Sequence, residues 1–193
     1  MTVKIINILA ITLCLAISGC STAITAIRDT PIQDDRGSRT FGSKIDDYLI
    51  KTKVEVNVAK AATSLGNGAS SIVVTSFNGV VLLAGQTPSA KLKDKAEQEA
   101  STVQQVRKVH NELQIMDPIT LLASSNDALL TTKVKARMLI DSVIPVSRIK
   151  IVTDNGIVYM MGLLTKSEAS CAANLVQRVS GVQKIVKVFE YID

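Results

Sequence analysis

The hydrophobic and polar positions of this chain change period in a fixed order, and that order occurs twice. Ser71 to Gly85 reads Ser-Ile-Val-Val-Thr-Ser-Phe-Asn-Gly-Val-Val-Leu-Leu-Ala-Gly, and Arg148 to Gly162 reads Arg-Ile-Lys-Ile-Val-Thr-Asp-Asn-Gly-Ile-Val-Tyr-Met-Met-Gly. In each stretch two runs of β-formers flank Asn-Gly. A type I′ turn needs positive φ at both central residues, so each stretch predicts a hairpin. A second glycine follows the turn glycine by six residues in both. The chain is a tandem duplication.

Helical periods surround the hairpins. In the first unit a helix is expected near Asp46 to Leu65, with acids in its first turn and Gly66 past its end. After the hairpin, Thr87-Pro88 offers an N-cap and a first-turn proline to a helix carrying Leu92, Ala96, Ala100 and Val103 on one face. A strand over Val106 to Ile115 closes the unit. In the second unit Ser125-Asn126-Asp127 offers cap residues to a helix ending near Ile140. Thr165 to Glu168 has capping-box spacing ahead of a stripe of Ala172, Leu175, Val176 and Val179, and Val182 to Tyr191 closes the unit. The order is αββαβ twice, each expected as a three-stranded mixed sheet with two helices over one face, an α+β fold. The units span 43–115 and 124–193, with 116–123 as linker. Each has about 70 residues, near the size where one core is marginal alone, so mutual support is expected.

The amino terminus reads differently. Lys4 precedes an apolar run, Ile5 to Ile17, too short for a membrane span, so residues 1–19 read as a secretory signal. Leu15-Ala16-Ile17-Ser18-Gly19-Cys20 resembles a bacterial lipobox, which implies cleavage before Cys20 and acylation of that residue, and Ser21 implies sorting to the outer membrane. Residues 20–42, polar and small, read as a lipidated tether. Removing the signal takes away one lysine, leaving 21 basic against 17 acidic side chains, or +4. That mild excess is not gathered in a run and aromatic residues are scarce, which argues against nucleic acid. It suits an anionic lipid surface better.

The hairpins also carry a family resemblance. Asn78-Gly79-Val80-Val81-Leu82-Leu83-Ala84-Gly85 fits the motif Asn-Gly-x-Val-x-Leu-x-Gly, and the second hairpin fits it with Met160 for leucine. Val109-His110-Asn111-Glu112-Leu113 and Gly181-Val182 each keep one part of a closing motif. Both units resemble BON domains, and with the lipobox and tether the whole resembles the dual-BON outer-membrane lipoproteins.

Enzyme chemistry finds no footing. His110 lies in a strand, Cys171 in a helix, and no acid lies at ligand spacing from either, so no metal site, nucleophile-base pair, cofactor or small-molecule substrate is expected. Cys171 reads as a partly buried structural thiol.

Two surfaces are more informative. Val80, Leu82, Ile157, Tyr159 and Met161 make the second face of each hairpin apolar too, so that face should meet the sister unit or a partner protein. In the first helix of the second unit, Leu130, Val134 and Met138 suffice as an inward stripe. Leu129, Ala136 and Ile140 form another, beside Lys133, Lys135 and Arg137. Such a stripe suits either an interfacial helix on anionic lipid or the edge of a core. The resemblance implies a non-enzymatic factor that binds phosphatidylglycerol-like phospholipid through this helix, gathers at the division site and supports membrane integrity. It also implies an aromatic residue where Leu129 stands. The rival reading is a scaffold binding envelope-assembly machinery or peptidoglycan through the hairpin faces.

Overall fold

The computed structural model describes residues 37–64, 70–118 and 120–193. The signal, Cys20 and the tether up to residue 36 lie outside the described residues, as do Leu65 and Gly66. The first unit comprises α1 (Phe41–Ser64), β1 (Ser71–Phe77), β2 (Val80–Thr87), α2 (Ala90–Ser101), β3 (Lys108–Asn111) and β4 (Gln114–Ile115). The second comprises α3 (Leu121–Ile140), β5 (Ile149–Asp154), β6 (Ile157–Leu164), α4 (Lys166–Gln177) and β7 (Lys184–Tyr191), with a 3-10 turn at Val146–Arg148. Both units are αββαβ. In each sheet the hairpin pair is antiparallel and the closing strand runs parallel to the hairpin's second strand.

Both hairpins turn as the sequence dictates, with φ of +53° and +74° at Asn78-Gly79 and +48° and +71° at Asn155-Gly156. Thr165 and Glu168 form the expected capping box, each side chain accepting from the other's amide.

Other element ends fall elsewhere. The cap of α2 is Ser89, extended, with its hydroxyl accepting from the Leu92 amide. Pro88 restricts its predecessor to extended backbone, so Thr87 ends β2 instead. Thr120 caps α3, placing Ser125-Asn126-Asp127 within the helix rather than at its start. The first turn of α1, which begins at Phe41, holds no acid. The first unit's closing strand breaks at Glu112-Leu113, where the Glu112 amide bonds Leu83 O and Leu113 turns into the core. On α4, Ala169, Ala172, Ala173 and Val176 face inward; Cys171, one position and about 100° from Ala172, is exposed rather than partly buried.

Three clusters make the core. One packs α1 and α2 on the first sheet through Ile50, Val54, Val81, Leu83 and Ala96, and its counterpart packs α3 and α4 on the second through Leu130, Val134, Met138, Val158 and Met160. The third lies between the sheets and draws on both units: Phe77, Val80, Leu82, Ala84, Ile157, Tyr159, Met161 and Val188. The body is therefore four layers, helices, sheet, sheet, helices. The five residues read as an inter-unit or partner face all lie in this seam.

Two polar contacts across the seam are reciprocal. Asn78 Nδ2 donates to Glu190 Oε2 at 2.9 Å, and Asn155 Nδ2 donates to Gln114 Oε1 at 3.5 Å. Gln114 and Glu190 occupy matching places, opposite the residues that follow Gly85 and Gly162. A pseudo-twofold axis relates the units. At one pair of matched positions the symmetry is chemical nonsense: Gln86 Nε2 donates to Asp154 Oδ2 at 2.6 Å, while their counterparts Leu163 and Phe77 belong to the apolar seam.

Candidate functional site

Two buried carboxylates fix what the hairpins present. Asp47, on α1, accepts from the amides of Asn78 (2.7 Å) and Gly79 (2.9 Å) and from the Ser76 hydroxyl (2.7 Å). Asp127, on α3, accepts from the amides of Asn155 (2.7 Å) and Gly156 (2.8 Å). Each helix is thus pinned to its own turn by charge-assisted bonds. Burial pushes the Asp47 carboxyl up, but the three donors and Arg39, 2.6 Å away, outweigh it and hold the carboxyl low. The Arg39 guanidinium also lies 3.7 Å over the Phe77 ring, tying the residues ahead of α1 to the seam.

Pinning α3 by Asp127 sets its rotation. At about 100° per residue, Leu130, Val134 and Met138 then face the sheet and the opposite side faces water. Leu129 is 61% and Ile140 83% exposed, and Ala136, Lys133, Lys135 and Arg137 are exposed with them. Among the described residues none of the three bases makes an ion pair.

Leu129, Lys133, Ala136, Arg137 and Ile140 share one side of α3, along grooves that separate it from the end of α4. One groove of about 320 Å³ runs past Lys133, Ala136, Arg137, Ile140, Val179 and Ser180. The next, about 540 Å³, continues past Arg137 and Ile140 to Cys171, Leu175 and Arg178, with Asp141 as its acid. Leu129 and Lys133 border a third near Gly156. Lys135 stands apart, on the flank toward Lys150, whose ammonium is held low by burial first and then by neighbouring cations that include Lys135.

Sequence reasoning missed Leu122, 78% exposed and seven residues before Leu129, which extends the stripe by two turns. Its spacing was there to be found. It also missed Arg178 and Val179, which only the packing of α4 brings to the groove. Among the described residues no helix is long and apolar enough to cross a membrane.

His110 sits half-buried on β3, its imidazole held low by burial and by Lys108. Tyr159 lies in the seam with its hydroxyl pushed far up, by burial first and then by Asp154 and Glu112.

Paired αββαβ sandwiches that bury their hairpin faces against each other and leave a base-bordered helix face in water define a tandem α+β module. Residues 46–117 and 126–193 match the BON domain, and the chain belongs to that family. It is 37% identical to the outer membrane lipoprotein DolP of Haemophilus influenzae over 177 residues, 92% of this chain and 91% of that one. It is 31% identical to the 21 kDa hemolysin of Actinobacillus pleuropneumoniae over 154 residues, 80% and 78% of the two. It is 25% identical to osmotically-inducible protein Y of Escherichia coli, over 78% and 75%. The likeness to DolP supports an outer-membrane-associated BON-domain lipoprotein.

Proposed function

We propose that this chain is a non-enzymatic outer-membrane lipoprotein, acylated at Cys20 and facing the periplasm. Its second unit docks on anionic phospholipid through α3 and supports membrane integrity, at the division site among other places. One observation carries the reading. The outward side of α3 leaves Leu122, Leu129, Ala136 and Ile140 exposed, beside bases that make no ion pair among the described residues. Leu122, Leu129 and Ile140 would enter the boundary between headgroups and acyl chains, while Lys133 and Arg137, with Lys135 in support, would meet the phosphates.

A scaffold using the hairpin faces is less well supported, because Val80, Leu82, Ile157, Tyr159 and Met161 are buried in the seam and would be free only if the units separated.

Lipid-induced NMR shift mapping tests the proposal on the chain from Ser21 onward, with phosphatidylglycerol against zwitterionic micelles. Shifts on residues 122–143 with the anionic lipid, and none there with the zwitterionic one, are expected. No selective shift on α3 removes the docking role and leaves the acyl anchor alone.

A further inference from the structure

The helix face most suited to lipid by residue type is not on α3. Ile50, Val54, Val58 and Ala61 turn α1 toward its sheet, and Asp47 locks that rotation through the Asn78-Gly79 amides. Opposite them, Phe41, Ile45, Tyr48, Leu49 and Val56 follow one another along the outer side. All five are exposed, Phe41 to 79% and Tyr48 to 67%. Thr52 is the polar residue among them, and large apolar side chains rarely stand uncovered in such number on one helix face. Of the six aromatic residues in the chain, only Phe41, Tyr48 and Tyr191 are more than half exposed, so two of the three fall on this stripe. Aromatic rings, Tyr above all with its polar tip, are what membrane interfaces favour.

The setting selects the occupant. Lys44 and Lys53 stand on the two borders of the stripe and make no ion pair among the described residues, and Lys51 is matched by Glu55. The stripe also begins where the chain arrives from Cys20. Twenty residues separate Cys20 from Phe41, a span of at most roughly 70 Å. A bilayer holding an acylated Cys20 is therefore within reach of the first turn of α1. We infer that α1 is a second interfacial helix, which lays Phe41, Ile45 and Tyr48 into the anionic membrane that holds the acyl anchor. This rests on the anchor reading above, though not on docking through α3.

The chain has no tryptophan, so a single introduced indole reports its own surroundings. The test uses the full acylated chain in vesicles of phosphatidylethanolamine and phosphatidylglycerol, with or without bromine on the acyl chains. Tyr48→Trp, Leu129→Trp and, as a control on a strand edge, Lys184→Trp are compared. Bromine is expected to quench the Tyr48→Trp emission several-fold more than that of Lys184→Trp, and adding Ile45→Glu should abolish the difference. Quenching at Leu129→Trp with none at Tyr48→Trp overturns this inference and leaves docking by α3 standing; the reverse pattern supports the inference and removes α3. Equal quenching at Tyr48→Trp and Lys184→Trp overturns it, since the anchor alone then holds the body near lipid. An unquenched Tyr48→Trp emission already at short wavelength overturns it too, and assigns the stripe to residues 21–36 or to a second copy.

Discussion

Asp127 Oδ2 lies 2.7 Å from the amide nitrogen of Asn155, and its other oxygen lies 2.8 Å from that of Gly156, so one carboxylate on α3 holds both central amides of a turn some thirty residues on. Hydrogen bonds to charged groups contribute about 1.5–3 kcal/mol each, less than additively when they share a carboxylate. Asp127→Ala should therefore cost about 3 kcal/mol in urea denaturation, and Asp127→Asn less. Wild-type stability in the alanine variant would remove the clamp from the account.

Asp154 and Asp47 should oppose each other as pH changes. Burial, and then Asp127, push Asp154 up against the hydrogen bond from Gln86, so the folded state holds its proton more tightly than the unfolded chain. That stabilisation is complete below the ordinary carboxylate range and is lost as pH rises through the folded value. Asp47, held low, stabilises above its ordinary value and loses that contribution as pH falls through the lowered one. Asp154→Asn, whose carbonyl can still accept from Gln86, should raise the Tm at neutral pH and converge on wild type in acid. Calorimetry across that range decides; a variant tracking wild type throughout would contradict the assignment.

The seam should make the units one cooperative body. Removing a large buried aromatic side chain costs about 3–5 kcal/mol, which is expected of Tyr159→Ala. Leu82→Lys, which sets an unpaired charge between the sheets, should split thermal unfolding into two transitions and enlarge the radius of gyration in X-ray scattering. A single transition at wild-type temperature would show that the units need no seam.

Gly85 should tolerate no side chain. Its φ is +111°, and a Cβ would stand 2.0 Å from Ser71 O on the paired strand. Gly85→Ala is expected to lose at least about 3 kcal/mol, from backbone strain plus displacement of β1.

On the lipid side, Lys133→Gln and Arg137→Gln should each weaken phosphatidylglycerol-vesicle binding about fivefold, if each base contributes about 1 kcal/mol near the surface. Ile140→Glu should weaken it about tenfold or more, because a buried aliphatic side chain contributes about 1.5–3 kcal/mol. These residues are exposed, so melting should not change. Binding that survives all three would exclude this face.

The parts legible in the sequence were those written locally. Asn-Gly between β-formers located both turns, and the spacing of Leu130, Val134 and Met138 marked the inward face of α3 while leaving Leu129 and Ile140 to water or to the edge of a core. Asp47 and Asp127 were misread because their partners lie 28 to 32 residues away, and an acid near Ser125 and Asn126 mimics a cap. The break at Leu113 was hidden because its cause is the core beneath it. Arg178 and Val179 join the groove through the packing of α4, which no spacing within one helix encodes.

The matched contacts of Asn78 with Glu190 and Asn155 with Gln114 are those of an isologous interface whose two halves happen to be covalently joined. A self-complementary face on a single unit would pair with any copy it met. Joined in tandem, the two faces satisfy each other at an effective concentration that no second molecule can match. The duplication thus closes this interface within one chain, and among the described residues the outer layers are left open to other company.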